Sequence, residues 1–161
     1  MSGSGDQVEV RVAKPGEEGE VTRLMAAFRD FYDDSEPPDE LIGRLVAELL
    51  DDDYTEFLLA GAPAVGVAQL RFRPSVWTGT DDAWLEDLFV REAARGAGLG
   101  GALVDLALER ARARGCRRVE LDTSESNEAA RRLYARHGFS ESAKSDPPAR
   151  DLFLGLYFDR S

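Results

Sequence analysis

The sequence has one cysteine, Cys116, and one histidine, His137. A lone thiol forbids an internal disulfide, and a lone imidazole excludes the usual His/Cys spacing of a metal centre, so no metal is expected. No apolar run approaches the roughly eighteen residues needed to span a bilayer. The opening Met-Ser-Gly-Ser-Gly-Asp lacks the basic start and apolar centre of a secretory signal. The expectation is a cytoplasmic protein with no membrane partner. Basic residues are scarce as well: 20 Lys and Arg against 31 Asp and Glu give a formal net charge of −11. That balance argues against nucleic acid, whose binding depends on neutralising phosphates, and suits a cationic partner.

What is present is enough for one self-sufficient domain, since 161 residues of which 43% are hydrophobic can close a core without disulfides or metal. Val8, Val10 and Val12 alternate with polar residues up to Lys14-Pro15-Gly16 and read as a strand. Val21, Leu24, Met25 and Phe28 recur at helical spacing from Glu17 to about Tyr32. A second helix follows Pro37-Pro38, with Leu41, Leu45, Val46, Leu49 and Leu50 on its apolar side, and stops at the run of aspartates from Asp51. Glu56 to Ala60 and Ala64 to Phe72 form a hairpin about Gly61-Ala62-Pro63, and Trp84 to Val90 is the next strand. A helix from Ala102 to Arg114 ends at Gly115, Arg118 to Asp122 is a strand, and a helix opening at Asn127 ends at Gly138. A short strand from Phe139 and a last one from Leu152 to Phe158 complete the pattern. The expected architecture is α/β (α+β): a mixed, mostly antiparallel sheet of about seven strands with helices on both faces.

Between the Trp84 strand and the Ala102 helix lies Arg95-Gly-Ala-Gly-Leu-Gly-Gly101. A glycine-rich turn from strand to helix is suited to phosphate, because the backbone can come close to an anion and the first helical N–H groups have no partner. Gly96, Gly98 and Gly101 spell a dinucleotide fingerprint, with Glu120 and Asp122 about twenty residues on. Against that reading, Arg91 to Arg95 separate the strand from the turn, and too little chain remains for the second half of a doubly wound sheet.

Including the arginine, Arg95-x-x-Gly98-x-Gly100 resembles the pyrophosphate loop of the GNAT N-acetyltransferase superfamily. The run from Asn127 through Ala130, Tyr134 and Gly138 to Phe139 is similar to that family's second cofactor segment, and Leu85 to Val90 resembles the strand before the loop in spermidine/spermine acetyltransferases and their relatives. The likeness is strongest from Ala64 to Phe139. It implies a GNAT fold over residues 7–161, with residues 1–6 a disordered or expression-derived terminus. It also implies transfer of acetyl from acetyl-CoA directly to a primary amine of a small, cationic acceptor. A non-catalytic acyl-CoA-binding or sensing domain is the alternative. The family often forms dimers, so a homodimer is a further expectation.

On that resemblance the cofactor site comprises Leu88, Phe89 and Val90, whose main chain would pair with pantetheine, the loop Arg95, Gly96, Ala97, Gly98, Leu99, Gly100 and Gly101, and Asn127, Ala130, Tyr134 and Arg136. Helical spacing puts Asn127, Ala130, Arg131 and Tyr134 on one stripe, although Asn127 also suits an N-cap. An acceptor ammonium must lose a proton before it attacks a thioester. Glu86 is the expected base: on an unbroken strand it shares the face of Val90, and the resemblance puts the base there. Asp87 then faces the other way unless a bulge re-aims it, and grips the substrate ammonium. Tyr134 is the expected acid for the departing thiolate. Phe28, Tyr32, Asp33 and Asp34, aromatics beside carboxylates, are the expected acceptor-selecting residues. Cys116 reads as a small core residue and His137 as a capping or solvated group.

Overall fold

The computed structural model describes residues 8–141 and 152–159. The expected terminus at residues 1–6 lies outside the described residues. In chain order the elements are β1 (Val10–Val12), α1 (Glu18–Phe31), α2 (Asp39–Leu50), β2 (Thr55–Ala60), β3 (Gly66–Ser75), β4 (Thr80–Val90), α3 (Leu99–Ala113), β5 (Val119–Glu120) and α4 (Glu128–Arg136), with a 3-10 turn at Glu92–Ala94. The described strands form one sheet in the order β1-β2-β3-β4-β5, with only β4 and β5 parallel.

Alternation along β2 decides how the layers assemble. Phe57 and Leu59 pack with Val21 and Leu24 of α1 and Ile42 and Val46 of α2, whereas Leu58 and Ala60 pack with Leu103, Val104 and Ala107 of α3 on the opposite face. A strand apolar on both faces is a central strand, and each buried Leu or Phe contributes ~1.5–3 kcal/mol. The helices stop where local chemistry stops them: α3 ends before Gly115, whose φ of +86° is the left-handed cap that only glycine takes without strain. On α2 the apolar side is rotated slightly from its expected line, so Ile42 is buried while Leu45 is exposed.

Two expectations are corrected. The sheet has five described strands rather than seven. Phe139 starts no strand, and Leu152 to Phe158 lies outside the sheet with its large apolar side chains exposed. The physical reason is the shortness of the edge to which further strands would add: β5 meets β4 at only Ala83↔Val119 and Trp84↔Glu120.

That brief pairing is pinned by a charge. The side chain of Asp82 is almost wholly buried, and it accepts hydrogen bonds from Thr78 Oγ1 at 2.9 Å and Arg118 Nε at 3.1 Å. Burial pushes its carboxyl up, but the bonds from Arg118 and Thr78 and the charge of Arg118 outweigh burial and hold it below the ordinary range. A depressed carboxyl contributes stability that is present above its unfolded value near ~3.9 and is lost as pH falls through the folded value. Thermal melts from neutral pH down to about pH 3 should therefore show a steeper acid loss in the wild type than in Asp82→Asn, which should also melt lower at neutral pH. Identical acid limbs in the two proteins would remove this role from Asp82.

Candidate active site

Where β4 and β5 part, the sheet opens into a cleft. Its volume is about 740 Å³, within the ~300–1,000 Å³ of small-molecule sites. One wall is the end of β4, Leu88, Phe89 and Val90; the floor is the glycine loop and the start of α3; the other wall is the start and one side of α4. Phe28, Phe31 and Tyr32, from the end of α1, close the near end, with Phe28 stacked on Phe89 at 5.0 Å between ring centroids.

The loop has the geometry of an anion cradle. Gly96 and Gly98 adopt φ of +86° and +80°, and Gly98 is the N-cap of α3. A Cβ built on either glycine would meet no atom within 4 Å, so these positions demand glycine for backbone conformation and leave open space above the turn. The N–H groups of Gly96 through Gly101 make no hydrogen bond among the described residues, and they stand at the positive end of a 15-residue helix. Gly100 and Gly101 face the α4 segment, where a Cβ would come into ordinary contact with Leu133 and His137. Arg95 is held over the Phe31 ring at 4.6 Å, with its Nε donating to Val90 O at 2.9 Å. In a chain of net charge −11, the described residues lining this cleft include two arginines, Arg95 and Arg136, and no carboxylate.

The expected cofactor residues Leu88, Phe89, Val90, Arg95, Gly96, Gly98, Leu99, Gly100, Gly101, Asn127, Ala130 and Arg136 all line the cleft, and Ala97 does not. Asn127 is an N-cap, its Oδ1 accepting from Ala130 N–H at 3.2 Å, and its amide borders the cleft as well. The expected stripe on α4 is corrected. Ser126, Ala129, Ala130, Leu133 and Arg136 face the cleft, whereas Arg131 and Tyr134 line a separate cavity against β5. The packing of Leu133 onto the glycines of α3 sets that rotation. Tyr134 is thus outside the cleft, edge-on to Phe139 at 5.7 Å, its phenol pushed up by burial and by Asp122. Arg131 is engaged with Glu141. Phe31, Ala94, Ser126, Ala129 and Leu133 are cleft residues that the sequence reading did not single out; the apolar Leu133, three residues after Ala130, was the one legible signal.

The carboxylates of β4 depart from the unbroken-strand expectation. Leu70 pairs with Leu85 and Gln69 with Asp87, so Glu86 is an extra residue in a β-bulge. Glu86 is exposed and ion-paired to Arg71 Nη1 at 3.4 Å. Arg71 alternates with Leu70 and Phe72, which pack toward α3, so Glu86 lies on the α1 face and not on the face of Val90. Asp87 is partly buried, and burial, reinforced by Glu86 and Asp122, pushes its carboxyl up to about 6.

A second cavity, of about 380 Å³, adjoins the first, because Phe28 and Tyr32 line both. Its other walls include Met25, Ile42 and Pro37, with Asp34 and Glu36 at the loop between α1 and α2 and Arg29, itself paired with Asp30 and Asp39. Asp33 sits beside it at φ +54° without lining it. His137 ties α4 to α3, with Nδ1 2.8 Å from Leu133 O and Nε2 3.1 Å from Asp105. Cys116 packs at the margin of the α3-side core, and burial pushes its thiol up. No cluster of His, Cys, Asp and Glu suited to a metal ion occurs among the described residues, and no described helix is long and apolar enough to cross a membrane.

Residues 19–139 match the family model described as the acetyltransferase (GNAT) family. The chain is 27% identical over 153 residues to thialysine N-epsilon-acetyltransferase of Bos taurus, covering 86% of this chain and 88% of that protein. It is 39% identical over 93 residues to aminoglycoside N(6')-acetyltransferase type 1 of Klebsiella aerogenes, covering 54% of this chain and 60% of the relative. Mycothiol acetyltransferase of Beutenbergia cavernae is 43% identical over 72 residues, 43% of this chain and 24% of that protein. Among solved structures, a protein from Arthrobacter sp. FB24 assigned as an acetyltransferase superposes with a TM-score of 0.80 at 29% identity, covering 100% of this chain and 99% of its own. An aminoglycoside N-acetyltransferase solved in complex with CoA shares the fold, with a TM-score of 0.75 at 20% identity over 97% of this chain and 99% of its own.

A substitution pair isolates the loop. Gly98 and Gly79 have φ of +80° and +70°, and neither would crowd a Cβ, but Gly79 lies in the β3–β4 turn. Gly98→Val and Gly79→Val should each lose roughly 1–2 kcal/mol of stability to left-handed strain. Only Gly98→Val should weaken CoA binding, by about a hundredfold if two charge-assisted hydrogen bonds are lost. Titration calorimetry with CoA checks this, and equal affinities for the two folded variants would contradict it.

Proposed function

The chain belongs to the GNAT acetyltransferase family, and from that premise we propose that it transfers the acetyl group of acetyl-CoA directly to a primary amine of a small cationic acceptor. The observation that carries this reading is the cleft itself: a carboxylate-free groove with two arginines and unpaired loop N–H groups, in a strongly acidic chain. The loop and Arg136 would hold the CoA phosphates, and the main chain of Leu88 to Val90, beyond its pairing with β5, would meet the pantetheine arm. A backbone N–H in that stretch is suited to the negative charge that develops on the acetyl oxygen. Tyr134 lines the other cavity, so the thiolate leaves on its own acidity, a thiol being more acidic than a phenol.

The acceptor enters from the α1–α2 side, where the second cavity shares Phe28 and Tyr32 with the cleft. Its aromatic and aliphatic walls take the carbon skeleton of an amine, and Asp34 and Glu36 draw the charge. The names of relatives that act on aminoglycosides and thialysine accord with an amine of this kind.

Acetyl-CoA-dependent release of thiol across a panel of amines is the direct test; CoA binding with no turnover on any amine would favour the non-catalytic alternative. Charge adds a finer expectation, because screening acts beyond about 8 Å at physiological ionic strength. The Michaelis constant of a diamine should rise with salt more steeply than that of a monoamine. Neutralising Asp33, Asp34 and Glu36 together should raise it at low salt, with CoA affinity unchanged. Faster acetylation of an acidic amino acid than of the diamine would refute the charge argument.

A further inference from the structure

Glu86 and Asp87 are neighbours in sequence, yet the bulge between β3 and β4 gives them different surroundings. Upstream of the bulge, Ala83 and Leu85 pack with α3; downstream, Phe89 packs with α1, although four residues of regular strand would have kept Leu85 and Phe89 on one face. Asp87, two residues before Phe89, therefore shares the α1 face with that ring; it does not itself line the cleft but stands behind Phe89, just past Trp84, the last residue of β4 paired with β5. Glu86 has Arg71 as a counter-ion, whereas Asp87 makes no hydrogen bond or ion pair among the described residues. Resting on the acetyl-transfer reading, we propose that Asp87 is the group that takes the proton from the acceptor ammonium, and that Glu86, engaged with Arg71, positions it.

The titratable groups around Asp87 act in one direction. Glu86 on its own strand and Asp122 just beyond β5 are like charges, Tyr134 of α4 feels Asp122 as well, and the cation beside Glu86, Arg71 of β3, is engaged with Glu86. Burial and these two carboxylates push Asp87 up to about 6. At that value it accepts a proton about a hundredfold more readily than an ordinary aspartate near ~3.9, and it remains ionised at neutral pH. An environment that separates two adjacent carboxyl groups in this way assigns them different tasks.

In the step, the ammonium gives one proton to the Asp87 carboxylate and the freed nitrogen lone pair forms the C–N bond to the thioester carbon. The C–S bond breaks with its electron pair on sulfur, the second nitrogen proton passes to the thiolate, and Asp87 returns its proton to solvent. The products are the N-acetyl amine, CoA thiol and one released proton.

The test is the pH dependence of kcat/KM from about pH 5 to 9, measured on the wild type, Asp87→Asn and Glu86→Gln with an amine that the wild type acetylates, and CoA affinity measured on all three. The wild type should lose activity below a midpoint of about 6. Asp87→Asn should lose roughly 10²–10⁴-fold in turnover together with that acid limb, at unchanged CoA affinity. Glu86→Gln should keep the limb and move its midpoint downward, because a like charge beside Asp87 is gone. A wild type that turns over, with the limb abolished by Glu86→Gln and kept by Asp87→Asn, overturns this assignment and leaves acetyl transfer standing. A wild type that binds CoA and acetylates no amine overturns the transfer reading and this assignment with it.

Discussion

The parting of β4 from β5 is the constraint on which the site depends. Two paired positions hold the strands together, with Asp82 buried at the closed end between Arg118 and Thr78, and everything beyond diverges. A buried ion pair is a weak source of net stability, because desolvation offsets attraction. Its consequence here is positional: it specifies where β5 attaches, and so where the sheet must open. Had pairing continued along β4, Leu88 to Val90 would be occupied by a neighbouring strand and there would be no groove for an extended ligand arm. The same brevity leaves little edge for more strands, which accounts for a sheet of five described strands.

Charge is sorted around that opening. The chain is strongly acidic, yet many of its carboxylates are matched locally: Glu56 with Arg110, Asp81 with Arg114, Glu17 and Glu20 with Arg11. The cleft has arginines and the positive end of α3, and the cavity across Phe28 and Tyr32 has Asp34 and Glu36, its lining cation, Arg29, being paired with Asp30 and Asp39. A polyanion and a cation can therefore approach from opposite ends, each toward a field of the sign that favours it. The aromatic cluster of Phe28, Phe31, Tyr32 and Phe89 forms the apolar partition between the two.

Two packing events decide the details of that arrangement. The bulge at Glu86 reverses the faces of β4, bringing Phe89 and Asp87 to the α1 side and leaving Glu86 with Arg71. Leu133 of α4 is seated over Gly100 and Gly101 of α3, and that seating sets the rotation of the helix. Both events draw on small residues or single insertions, and both redirect polar side chains within a few residues of the cleft.

The order of elements from β1 to α4, the layers and the glycine-rich loop were legible in the sequence, because each is a property of consecutive residues. Positive φ at Gly96 and Gly98, the Asn127 cap and the alternation of β2 are enforced locally and leave local traces. Which groups confront the ligand was decided only by tertiary structure. The facing of Glu86 and Asp87 depends on a register shift against β3, and the choice of Arg136 over Arg131 and Tyr134 depends on where Leu133 rests against another helix. A strand or helix period gives relative positions along one element. Absolute orientation is fixed by the partner it packs on, and that partner is distant in the chain.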